Sequence, residues 1–152
     1  MNQANRLSPR ASPAGVDADV VARAEAALKA LSSQFAQWLQ DEIDKLDAAR
    51  AQVADEGLTG PAGEALYTRA HDLKGLGGTY EFPIVTRAAA SLCRLVDSPA
   101  ARAAAPLGLI DSHINAIKTM IREGIRDDSH PIGHAMVTAL ENQTAAFRVA
   151  LP

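Results

Sequence analysis

The sequence contains a single cysteine, Cys93, among 152 residues. No disulfide framework can form from it, and a reducing, cytoplasmic setting is expected. Aromatic residues are scarce, with one Trp, two Tyr and three Phe, while alanine is frequent. That balance suits close-packed helices better than sheets. Basic residues are not in surplus: the net charge is −3, which provides no electrostatic footprint for nucleic acid. No run of eighteen apolar residues occurs, so no membrane-spanning helix is expected. The first sixteen residues carry no apolar core segment of the secretion-signal type. Also missing are a nucleotide-binding glycine loop, a catalytic triad, a metal-ligand cluster and any repeat of fixed period.

Glycine and proline are absent from Asp17 to Glu56, and apolar residues there recur at alternating steps of three and four, the helical period. Residues 1–16 are expected to form a disordered tail. The domain proper is expected over 17–150, with helices near 17–55, 61–80, 83–97, 106–126 and 131–150. Asp17 is the expected first cap. The first segment is either broken near Ser32–Ser33 or one continuous helix. Pro61, Pro83, Pro106 and Pro131 each suit a first helical turn, and Ser98–Pro99 ends the third helix. The predicted fold class is all-α: an up-and-down four-helix bundle with additional N-terminal or C-terminal helical segments.

The segment Ala70–Tyr80 departs from a helix selected for stability alone. It carries Gly75, Gly77 and Gly78, and each glycine costs about 1 kcal/mol against alanine in a helix interior. At about 100° per residue, Leu66, Ala70, Leu73, Gly77 and Tyr80 share one face. His71, Gly75 and Gly78 fall roughly opposite, and Lys74 lies beside His71 one turn on. The spacing therefore predicts an exposed imidazole and a nearby ammonium on a surface stripped of side chains. A neutral imidazole nitrogen is a nucleophile, and a neighbouring cation offsets the charge of a transferred phosphoryl group. Such a surface fits a carrier of phosphoryl groups to which a second protein brings its own active site.

His71-Asp72-Leu73-Lys74-Gly75, followed by Gly77-Gly78-Thr79-Tyr80-Glu81-Phe82, resembles the signature of histidine phosphotransfer (HPt) domains. It is similar to stand-alone alphaproteobacterial HPt proteins and to the phosphotransfer domain of chemotaxis kinases. The resemblance extends through Pro83 to Asp97 and weakly over Ala24 to Gly57. It implies that His71 is phosphorylated in a two-component phosphorelay, that Lys74 helps hold the phosphoryl oxygens, and that Gly75 and Gly78 admit the partner. Leu76, Thr79 and Asp72, with Tyr67 and Thr68, would border the docking face. The implied partners are response-regulator receiver domains and a histidine kinase or hybrid kinase. No cofactor is expected on this chain, since Mg2+ would sit on the receiver. No nucleic acid, membrane or ATP-dependent activity of its own is implied, and a monomer is expected. Two positions depart from the family pattern. Glu81 stands where Gly is usual, and a Glu resists φ > 0, so the turn there is expected to differ. Cys93 stands where some members place a polar residue. An adaptor or inhibitor that binds a kinase or receiver without being phosphorylated is the competing expectation, kept open by Glu81.

The remaining chemical side chains are expected to be structural. His130 and His134 are four apart but lack further ligands. His113 is expected at the edge of an apolar stripe, Cys93 partly exposed opposite the stripe of Ala88, Leu92 and Leu95, and Phe35 and Trp38 in bundle packing. Arg87 or Arg94 could stand in for the missing polar residue.

Overall fold

A computed structural model describes residues 14–152, with side chains from Asp17 onward. All regular structure among the described residues is helical: α1 (Ala14–Glu56), α2 (Pro61–Thr79), α3 (Pro83–Val96), α4 (Pro99–Ala104), α5 (Leu107–Glu123) and α6 (Pro131–Ala150). The expected tail lies outside the described residues up to residue 13, whereas Ala14–Val16 already belong to α1, so Asp17 sits in the first turn and is not its cap. Of the two alternatives for the first segment, the continuous helix is the one observed. The chain divides into two units, Met1–Gln34 and Phe35–Pro152.

In the larger unit, Leu39, Ile43, Leu46, Ala49 and Val53 of α1 are buried at steps of three and four. α1 is tied to α5 by a two-pronged pair, Arg50 Nε and Nη2 donating to Asp111 at 2.7 and 3.0 Å, and by Lys118 to Asp47 at 2.6 Å. α3 packs against α2, α4, α5 and α6. A helix surrounded on most sides is apolar nearly all round, and α3 buries Ile84, Val85, Ala88, Ala89, Ser91, Leu92, Cys93, Leu95 and Val96. This corrects the expectation for Cys93, which is only 5% exposed: a single-stripe reading assumes one covered face, and α3 has several.

The segment after Ser98 is a further helix that was not expected. Ser98 Oγ accepts from the Ala101 amide at 3.1 Å, and Pro99 follows at the first position, so the pair that ends α3 also starts α4. His130 caps α6, its Nδ1 accepting from the Gly133 amide at 3.3 Å. α5 ends at Gly124, whose φ of 70° is left-handed, so Ile125 is buried just beyond the helix.

His113 is fully buried rather than at a boundary. Its Nδ1–H donates to the Leu109 carbonyl at 2.7 Å, which leaves Nε2 as an acceptor. Ser91 Oγ lies 2.8 Å and Thr144 Oγ1 3.3 Å from it, and the two hydroxyls are 2.9 Å apart. One polar knot thus joins α3, α5 and α6, with its donors and acceptors matched as burial demands.

Candidate functional site

α2 begins with Gly60 as N-cap and Pro61 inside it, and buries Ala62, Gly63, Leu66, Ala70, Leu73 and Gly77. The opposite face carries the expected chemistry. His71 and Asp72 are exposed and Lys74 is half-buried. The His71 ring lies 5.9 Å from the Tyr67 ring one turn earlier, tilted by 43°. Neither His71 nor Lys74 takes part in an ion pair among the described residues.

The three glycines divide by role. A Cβ on Gly77 would stand 2.5 Å from Thr86 Oγ1 and 2.7 Å from the Thr86 amide nitrogen, so this glycine lets α3 approach α2. A Cβ on Gly75 would meet nothing within 4 Å, and one on Gly78 only Thr86 Oγ1 at 4.0 Å. Both of these glycines are exposed, and no contact among the described residues requires either to lack a side chain.

Thr86 is a site residue that sequence reasoning missed. Its hydroxyl donates to the Lys74 carbonyl at 2.9 Å and accepts from the Gly78 amide at 3.0 Å. A side chain of α3 thus reaches the carbonyl and the amide of two residues one turn apart in α2, next to both candidate residues. No signal in α2 itself reveals this, because the bond crosses from another helix.

A groove of about 530 Å³ runs beside His71, lined by Glu42 and Lys45 of α1 and by Arg69, His71, Asp72, Gly75 and Leu76 of α2. The structure thus brings four expected residues, His71, Asp72, Gly75 and Leu76, to one groove. Lys74 and Gly78 lie on the side held by Thr86, and Thr79 is exposed with Oγ1 donating to the Gly75 carbonyl at 3.4 Å. Glu42, Lys45 and Arg69 were not anticipated. The groove is laced by Lys45 to Glu42 at 2.8 Å and Arg69 to Asp72 at 4.0 Å.

Beneath Lys74, burial pushes the Cys93 thiol up to about 11, against the opposing pull of the Lys74 charge. At neutral pH it is a protonated, unreactive thiol. Arg87 is committed elsewhere, Nη2 donating to Glu141 at 2.6 Å with Asp128 also within 3.7 Å. Arg94 is exposed. Phe35, Trp38 and Tyr80 form a cluster with ring centroids 5.4–5.8 Å apart; Trp38 remains 40% exposed, so it packs at the surface and not in the core.

The turn after α2 overturns the expectation for Glu81. Its φ is 65°, the left-handed conformation that a Gly would take. The Phe82 amide donates to the Gly77 carbonyl at 2.7 Å and the Glu81 amide to the Gly78 carbonyl at 3.2 Å, the pair of bonds of a Schellman ending. Phe82 is buried at 1% exposure, and Arg126 lies 4.6 Å over its ring while donating to the Glu81 carbonyl at 3.1 Å. These contacts hold the turn despite the side chain.

Among the described residues no group of His, Cys, Asp and Glu is arranged to hold a metal ion, and no helix is long and apolar enough to cross a membrane. No protein-family model matches the chain, nor does any curated protein or solved structure.

Proposed function

We propose that this chain is a histidine phosphotransfer protein, a carrier without ATP-dependent activity, working in a cytoplasmic two-component phosphorelay. His71 accepts a phosphoryl group from an aspartyl phosphate on a receiver domain, or from a histidine kinase or hybrid kinase, and passes it to another receiver. The observation that carries this reading is the open space around Gly75 and Gly78. Each glycine weakens α2 by about 1 kcal/mol, and no packing contact among the described residues offsets it. A bare surface beside an exposed imidazole is what a partner needs to bring a phosphorylated aspartate into line with the ring nitrogen.

In the transfer, the unprotonated ring nitrogen attacks phosphorus. A P–N bond forms as the P–O bond to the aspartate breaks, and the aspartate leaves as a carboxylate while the other ring nitrogen keeps its proton. Lys74 offsets charge on the phosphoryl oxygens, and the partner receiver supplies Mg2+. Asp72, Leu76 and Thr79 border the docking face. α1 from Phe35 onward, α2, α3 and α5 correspond in this reading to an up-and-down bundle, with α4 and α6 added.

A second reading is a docking adaptor that is never phosphorylated, favoured by the charged groove of Glu42, Lys45, Arg69 and Asp72, which requires no histidine chemistry. Incubation with phosphorylated receiver domains distinguishes the two. A carrier takes up an acid-labile, base-stable label that disappears in His71→Gln; an adaptor binds, stays unlabelled and binds equally well as His71→Ala.

A further inference from the structure

The N-terminal part of α1 presents an apolar face that the described residues leave uncovered. Val20, Val21, Leu28 and Leu31 are 50%, 53%, 65% and 45% exposed, and Ala24 and Ala27 are exposed between them. At about 100° per residue, Val20, Ala24, Ala27 and Leu31 lie within about 60° of one another. Val21 and Leu28 widen this stripe on one edge only. The other edge carries Arg23, held by Asp19 of the same helix at 3.2 Å.

A helix of this length gains little stability from its own hydrogen bonds and needs a packed face to persist in water. Residues 1–13 are a poor cover, since they hold only Met1 and Leu7 as large apolar side chains. We infer that the cover is a second copy of this chain, paired antiparallel through residues 17–34.

The one-sided stripe fixes the direction. A two-fold antiparallel pair brings the same edge of each helix together, so that Val21 of one copy meets Leu28 of the other. A parallel pair would set Leu28 against Arg23 of the second copy. With Val20 opposite Leu31, the middle layers are Ala24 against Ala27, small residues that allow close approach. Covering the four large side chains in both copies removes on the order of 800 Å² and the alanines bring this toward about 1,000 Å², just under the range of specific interfaces. The pair is therefore weak, and its population depends on concentration.

Sedimentation velocity of the full chain from micromolar to sub-millimolar concentration tests this directly. The expected result is a shift from monomer toward twice the mass, abolished in Leu28→Glu with Leu31→Glu while the thermal transition of the protein is kept. The direction is tested by mild oxidation with copper phenanthroline, Cys93 being buried. A Val20→Cys protein mixed with a Leu31→Cys protein should form the mixed cross-link, and neither should cross-link to itself. A wild-type chain monomeric at every concentration, a dimer untouched by the two glutamates, or self-cross-linking of Leu31→Cys would each overturn the inference. A monomer that associates through these side chains only with a different protein would overturn it too.

Discussion

The hydroxyl of Thr86 donates to the backbone carbonyl of Lys74 at 2.9 Å, joining α3 to the middle of α2 at the turn that carries the candidate phosphoryl-binding lysine. The same oxygen accepts from the Gly78 amide. A side chain from a second helix thus completes the backbone of the site. Thr86→Val keeps the shape and removes both bonds, so it should destabilise the fold by about 1–3 kcal/mol. Thr86→Ser should restore most of the loss. Urea denaturation of the three proteins checks this.

The glycines of α2 should respond in opposite directions. Gly75→Ala and Gly78→Ala add a methyl to open space and should each stabilise the protein by about 0.5–1 kcal/mol. Gly77→Ala forces a Cβ against the Thr86 amide and should cost about 1–3 kcal/mol. Midpoints of chemical denaturation give the signs. A bulky substituent, Gly75→Leu or Gly78→Leu, should leave the fold intact and slow phosphoryl transfer by blocking the partner.

Glu81 holds a left-handed turn at a cost that a glycine would not incur. Glu81→Gly should therefore raise stability by about 1 kcal/mol, the gain reduced by the loss of the Glu81–Arg126 contact at 3.9 Å. A rise in the thermal midpoint is the expected readout.

Burial lowers the pKa of His113, partly countered by its bond to Leu109. The unfolded chain therefore binds a proton that the folded chain refuses. Stability rises with pH wherever the unfolded state holds more protons, so it should be complete above the unfolded histidine value of about 6.5 and fall as pH drops below it. The slope from this one group is at most about 1.4 kcal/mol per pH unit. Comparing the stability of the wild type with His113→Gln at about pH 7.5 and about pH 5.5 isolates this contribution, because the variant should lose the slope.

The helices were legible because their signals are local. Prolines opened α2, α3 and α6, Gly57 took φ of 82° just past α1, and three-four spacing marked each buried stripe. The exposed face of His71, Gly75 and Gly78 followed from the same geometry. What escaped depends on neighbours far along the chain. His113 and Cys93 looked marginal on their own helices and are buried because α3 and α5 are covered from several sides. Thr86 and the groove residues Glu42 and Lys45 join the site only once α1, α2 and α3 pack. At Ser98 the signal was present, but one Ser–Pro pair served two helices. At Glu81, local preference lost to the Phe82 anchor and Arg126.

The most direct measurement is phosphorus NMR of the full chain after incubation with a phosphorylated receiver domain and Mg2+, in wild type and His71→Gln. The account predicts a phosphoramidate resonance in the wild type, lost in the variant, with slower build-up in Lys74→Ala. A wild-type chain that binds the receiver yet never shows that resonance, or a His71→Gln protein that shows it undiminished, would contradict the assignment of His71 as the phosphoryl acceptor.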